Sequence, residues 1–289
     1  MIETTADRCR RYRRRILEIS QQVQAAHVAP AFSCLEIVDV LYHEVMRPQD
    51  VFIMSKGHGC LAQYVVLEEL GKFGAGELAL YCTPEGILGA HPDYCPAVGI
   101  HASTGSLGHG LGIAAGQALA EKIKGSDVRV YVLLSDGECQ EGSMWEVAMV
   151  AANLGLDNLV VLVDCNNFGG MDRMSKVHPA LDRPDPSQQV DASLRVKFLA
   201  FGWAATAVDG HHSAQVARAA AVANVRASIA RSIPPGAVIC YTTKGKGVSF
   251  MESAPLWHYR SPNPEEYGRA LAELGGASSE EAADAAQGG

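Results

Sequence analysis

No apolar run in these 289 residues reaches the ~18 that a membrane-spanning helix requires. The N-terminus also lacks the apolar core of a secretory signal peptide. No CxxC pair occurs: the eight cysteines, at 9, 34, 60, 82, 95, 139, 165 and 240, are scattered. That spacing excludes a disulfide framework or zinc knuckle and leads us to expect reduced thiols in the cytoplasm. Positive charge is in deficit, with Lys+Arg 24 against Asp+Glu 32 and a net −8. A surface that coats nucleic acid is therefore excluded, and neither membrane nor nucleic acid is expected as a partner. Lys244 and Lys246 lie in a glycine-rich stretch, but no GxxxxGK[ST] phosphate loop is present. Gly108, Gly110, Gly112 and Gly116 follow no strand pattern, so they form no dinucleotide fingerprint. Internal repeats are absent too.

What is there is a globular pattern: 48% of residues are hydrophobic, 19% are charged, and 29 are glycine. The opening Arg8–Ser20 segment, with six arginines, reads as a charged, solvated first helix. Continuous apolar runs at 128–134 and 158–163, and shorter ones at 204–208 and 236–241, read as strands covered on both faces. Helical stretches at 143–154 and 213–231 separate them. Strand alternating with helix predicts a doubly wound, mostly parallel α/β sheet with helices on both faces. We expect one domain over residues 1–274 and a frayed tail over 275–289, which is rich in Gly, Ala, Ser and Glu.

The strand ends carry the chemistry. They read Ser135-Asp-Gly-Glu138, Asp164-Cys-Asn-Asn167, Asp209-Gly-His211 and Thr242-Thr-Lys-Gly-Lys-Gly247. Ligands of open parallel sheets bind beyond such carboxyl ends, so four polar ends predict one rim of one site. Asp136 and Asn166 stand 30 residues apart on strands joined by one crossover, which brings a carboxylate beside an amide carbonyl. These hard oxygens suit Mg²⁺ or Ca²⁺, and Mg²⁺ usually completes its shell with phosphate oxygens and water. A metal-held phosphate ester or diphosphate is the expected ligand, with Gly137 letting it approach the backbone.

Asp136-Gly-Glu followed by Cys165-Asn-Asn167 resembles the metal–diphosphate motif of thiamine diphosphate enzymes. Phe52-Ile-Met-Ser-Lys-Gly-His58-Gly, Gly89-Ala-His91-Pro, Ser103-Thr-Gly-Ser-Leu-Gly108, Asp136-Gly-Glu-Cys-Gln-Glu141-Gly and Lys244-Gly-Lys-Gly-Val-Ser-Phe resemble the N-terminal half of transketolase. The resemblance runs from about residue 8 to about residue 274, in the family's order. Full-length members are roughly twice as long, so the chain looks like the N-terminal subunit of a split transketolase.

The resemblance implies a two-carbon ketol transfer from a ketose, phosphorylated or not, to an aldose. It implies thiamine diphosphate with Mg²⁺, for which Ca²⁺ or Mn²⁺ can substitute. Asp136, Asn166 and the backbone carbonyl of Phe168 match the metal ligands. His58, Gly137, Glu138, Asn166 and His258 match positions around the diphosphate, and Gly105 and Leu107 the backbone facing the aminopyrimidine. His27, His58, His91 and His258 match the histidines around the reacting carbons, where groups titrating near neutrality move protons both ways. Glu141 matches an interface glutamate directed at the partner's catalytic carboxylate, and Glu146 a second interface acid. The implied partner is a C-terminal transketolase-like subunit bearing the pyrimidine-binding domain, in an α2β2 heterotetramer. Three departures stand out: Ala26-His-Val-Ala-Pro30 replaces the usual Gly-His-Pro-Gly, and His101 and His109 are expected to crowd the cofactor. They keep a second reading open, namely ketol or acyl transfer by thiamine diphosphate from a non-pentose donor in specialised metabolism.

Overall fold

Strands β1 (Val51–Met54), β2 (Val130–Ser135), β3 (Leu159–Cys165), β4 (Ala204–Asp209) and β5 (Gly236–Tyr241) form one sheet. They run parallel in the order β1-β2-β3-β5-β4. The computed structural model describes residues 3–24, 27–74, 76–169, 172–177, 194–223 and 234–275. The expected tail beyond 275 and the end of the expected 213–231 helix lie outside these residues. Nine helices are described: α1 (Thr5–Val23), α2 (Val28–Val40), α3 (Cys60–Glu69), α4 (Gly110–Lys124), α5 (Gly142–Asn153), α6 (Met174–Val177), α7 (Leu194–Ala200), α8 (Ser213–Val222) and α9 (Pro264–Glu273).

Every residue of β2 and β3 is buried, as their unbroken apolar runs require. Alternate residues enter two separate cores. Tyr131, Leu133, Val160 and Leu162 pack with α1, α2, α3, α8 and α9. Val130, Val132, Val161 and Val163 pack with α4, α5, α6 and α7 on the other face. The architecture is the doubly wound parallel sheet that the alternation predicts.

The departures have local causes. Strand β1 is only four residues long, too short to show a period. All thirteen residues of α2 are buried, so it has no polar stripe to betray a helix. The arginine-rich α1, begun by a Thr4–Asp7 capping box, is not simply solvated. Arg13 is buried and grips Glu36 at 2.7 and 2.9 Å, and Arg8 pairs with buried Asp39 at 2.7 Å.

Candidate functional site

A cavity of about 250 Å³ opens beyond the carboxyl ends of the strands. Its wall takes His58 from the turn after β1, Ser135 and Gly137 from the tip of β2, and Asn166, Phe168 and Gly169 from beyond β3. Lys244 enters from the loop after β5, with Gly105 and Leu107 from the loop preceding α4. His27, Pro30, His91 and His258 complete it. The expectation of four strand ends in a row needs correction. Strand β4 lies at the sheet edge outside β5, and neither Asp209 nor His211 lines the cavity. His211 is instead a brace: its Nδ1 meets Glu36 at 3.0 Å and its Nε2 accepts from the Thr243 amide at 2.8 Å.

The four histidines converge from four separate segments. His27, immediately before α2, has its ring centroid 5.7 Å from His58, 5.9 Å from His91 and 5.6 Å from His258. The rings of His58 and His258 are 5.5 Å apart. Burial and the neighbouring imidazoles hold His27 down at about 3. Burial, with Lys244 close by, holds His258 down at about 4. Burial also pushes His58 well below its ordinary value. These three rings are therefore neutral at pH 7, a correction to the expectation that they titrate near neutrality. Nδ1 of His27 is buried without a hydrogen-bond partner, a polar atom open to a ligand. Gly105 sits at φ +137°, and a Cβ there would strike the His91 ring at 2.8 Å.

Asp136 follows β2 directly and is fully buried. Its carboxylate accepts from the amides of Gly137 at 2.8 Å and Asn167 at 2.6 Å. Burial, then the nearby Asp164, raise its carboxyl to about 7, so a cation would be welcome there. A side chain at Gly137 would meet the Phe168 carbonyl oxygen at 3.3 Å, so the β2 and β3 tips touch through bare backbone. Asn166 lines the cavity, with Nδ2 pointing inward to Ser33 Oγ at 3.1 Å and Asp164 at 3.3 Å, and Oδ1 accepting from the Phe168 amide at 3.1 Å. Among the described residues no three His, Cys, Asp or Glu side chains gather as a metal site. The donors on offer are one carboxylate, one amide oxygen and one main-chain carbonyl. Such an all-oxygen set leaves room for phosphate and water and suits Mg²⁺. It fits a metal-bound diphosphate.

Other expected residues lie elsewhere. Glu138 is buried and faces away from the cavity, accepting from Ser55 Oγ and from the amides of Gly108 at 2.9 Å and Ser135 at 3.4 Å. It holds the glycine-rich loop against the sheet instead of reaching a ligand. Glu141, before α5, is exposed outside the cavity with its Cβ packed on Gly108, and Glu146 is exposed on α5. His101 and His109 do not crowd the cavity. Their Nδ1 atoms are spent on the carbonyls of Phe52 at 3.3 Å and Leu107 at 3.2 Å. Lys244, read in the sequence as part of a polar strand end and a family motif but given no role in the site, does reach it. Buried to 2% exposure, it contacts His258 Nδ1 at 2.8 Å and lies 5.1 Å over the Phe168 ring. Burial and the Lys56 charge lower it to about 8. Its place in a glycine-rich strand end was the available signal.

A family profile described as "Transketolase, thiamine diphosphate binding domain" matches residues 10–259. The chain belongs to the transketolase family. It is a thiamine diphosphate-binding chain of a transketolase-type transferase. It is 34% identical to an apulose-4-phosphate transketolase subunit from Phocaeicola vulgatus, over 94% of both chains. Identity to the 6-deoxy-6-sulfo-D-fructose transketolase subunit SqwG of a Clostridium species is 31%, over 91% of this chain and 93% of that one. Human transketolase matches at 32% identity over 89% of this chain but only 40% of its own length. The fold superposes on transketolase from Leishmania mexicana with a TM-score of 0.81 at 24% identity, covering 95% of this chain and 42% of that one. This transketolase-family chain therefore spans about two fifths of the solved enzyme's length.

Proposed function

We propose that this chain is the N-terminal subunit of a two-chain transketolase that moves a two-carbon ketol unit from a ketose to an aldose. One observation carries the reading: four imidazoles and the oxygen-bearing tips of β2 and β3 share one cavity. Asp136, Asn166 and the Phe168 carbonyl would hold Mg²⁺, with Gly137 and His258 beside the diphosphate. When bound, thiamine diphosphate supplies the carbanion and the electron sink for cleavage beside a carbonyl. His27, His58, His91 and His258 orient the sugar's hydroxyls and hand protons to and from its oxygens. Kept neutral by burial, His27, His58 and His258 donate from one ring nitrogen and accept at the other. Gly105 and Leu107 face the pyrimidine end through main-chain atoms.

The fit to relatives named as subunits supports a separate C-terminal partner, paired as an α2β2 heterotetramer, with Glu141 and Glu146 as interface acids. Scattered cysteines fit a cytoplasmic enzyme. Among the described residues no helix is long and apolar enough to cross a membrane. Of the sugars in those relatives' names, 6-deoxy-6-sulfo-D-fructose is a hexose, which favours the second reading of a non-pentose donor, whereas apulose 4-phosphate has a five-carbon skeleton. Mixing this chain with its purified partner should create ketol transfer that neither shows alone, and Glu141→Ala should weaken it. Full activity of this polypeptide in a host without a complementing subunit would overturn the proposal. Assays on ketose phosphates, unphosphorylated ketoses and 2-oxo acids decide between the two donor readings.

A further inference from the structure

A fully buried polar cluster lies directly behind the cavity wall, and no step above uses it. Asp164, on β3 two residues before Asn166, is 0% exposed, as is Lys56. One Asp164 oxygen accepts from Ser33 Oγ at 2.7 Å and from Thr242 Oγ1. The other accepts from Lys56 Nζ and from Asn166 Nδ2, the latter at 3.3 Å. Lys56 also donates to the Pro30 carbonyl at 3.0 Å, tying the cluster to the start of α2.

We propose that Asp164 is a positioning residue that decides which end of the Asn166 amide faces the cavity. The argument follows from where the hydrogens must be. A carboxylate can only accept, and Ser33 Oγ, 2.7 Å from Asp164 and 3.2 Å from Thr242 Oγ1, spends its single hydroxyl hydrogen on that side. The Ser33 oxygen then offers Asn166 nothing but lone pairs. Both groups facing the inner end of the amide, Asp164 and Ser33 Oγ, are acceptors. A flipped amide would set its carbonyl oxygen against two acceptors in a buried, low-dielectric position, losing two hydrogen bonds and adding repulsion. The Phe168 amide reinforces the choice by donating to Asn166 Oδ1 at 3.1 Å. Lys56 places its ammonium group against the same carboxylate in the interior, an ion pair with both side chains fully buried. The result is an amide oxygen aimed at the cavity, where a cation needs a hard acceptor and an NH₂ group would repel it.

This inference rests on the reading that Asn166 faces a metal-bound diphosphate, so its test has one arm that needs no metal. In ¹⁵N spectra of the full chain, the Asn166 side-chain amide is identified by its loss in Asn166→Asp. It should be protected from solvent exchange in the wild type. In Asp164→Asn, and in the milder Ser33→Ala should the first variant fail to fold, that protection should fall. Unchanged protection in the variant that folds would overturn the proposal whatever the metal does. In the second arm, manganese resonance follows Mn²⁺ binding with thiamine diphosphate in the assembled two-chain complex. Asp164→Asn should weaken Mn²⁺ about 10–100-fold, the usual cost of losing a group that orients a ligand. The charge-conserving swap Asp164→Asn with Asn166→Asp should recover most of that loss, because a carboxylate has no wrong end. A swap as weak as Asp164→Asn alone would overturn the proposal. Wild-type complex that binds no Mn²⁺ would sink the metal reading instead, leaving the amide arm to decide the orientation.

Discussion

Lys244 donates from Nζ to Nδ1 of His258 across 2.8 Å. An ammonium group can only donate, so the His258 imidazole carries its own hydrogen on Nε2. A buried cation thereby selects the tautomer of a ring in the cavity wall, and its charge helps keep that ring neutral.

Lys244→Met should therefore raise the His258 titration from about 4 toward its ordinary 6.5, though not all the way, because burial is the larger cause. NMR titration of the ring signals in wild type and variant checks this. A value that stays put would assign the depression to burial and Lys56 alone.

Stability should record the same depression. A histidine at about 4 when folded and 6.5 when unfolded binds its proton only in the unfolded chain between those pH values. Its contribution thus falls as pH drops from 6.5 to about 4. Asp136, raised from 3.8 to about 7, acts with the opposite sign over the whole of that window, so the comparison must be differential. From pH 7 to pH 5 the urea midpoint should fall less in His258→Gln than in the wild type. Parallel profiles would contradict the His258 assignment.

Glu138→Ala should destabilise the fold by about 3 kcal/mol, since buried donors of Ser55, Gly108 and Ser135 lose their acceptor together. Denaturant unfolding measures it. A loss of cofactor affinity at unchanged stability would place Glu138 back among the ligand contacts.

Asp136→Ala should abolish metal-dependent thiamine diphosphate binding, and Asn166→Ala should nearly do so, because the diphosphate charge loses its bridging cation. Calorimetry on the assembled complex reads both. Undiminished affinity in the two variants would move the site elsewhere.

The sheet was legible wherever burial on both faces leaves an unbroken apolar signature, as along Tyr131–Leu134 and Val160–Val163. Strand β1 carried too few residues, and α2 too uniform a composition, to announce their type. Within the site, Asn166, Gly137 and the histidines were legible because strand tips and glycine-flanked loops mark them out. The direction of a side chain was not. Glu138 is one residue from Gly137, yet its carboxylate is claimed by the amides of Gly108 and Ser135. His101 and His109 are likewise diverted by nearby carbonyls. Lys244 stayed ambiguous because the ring it donates to, His258, is fourteen residues away along the chain.

The wall of the cavity draws on residues from His27 to His258 and on loops after four different strands. No single hairpin or helix pair can form it, so it closes only after most long-range pairings exist. Any sub-global opening that detaches α2, the Gly105 loop or the β5 loop dismantles it. The pocket is in that sense a gauge of the whole fold's cooperativity. A ligand that bridges its walls would cross-link distant segments of sequence and slow amide exchange far from its own contacts.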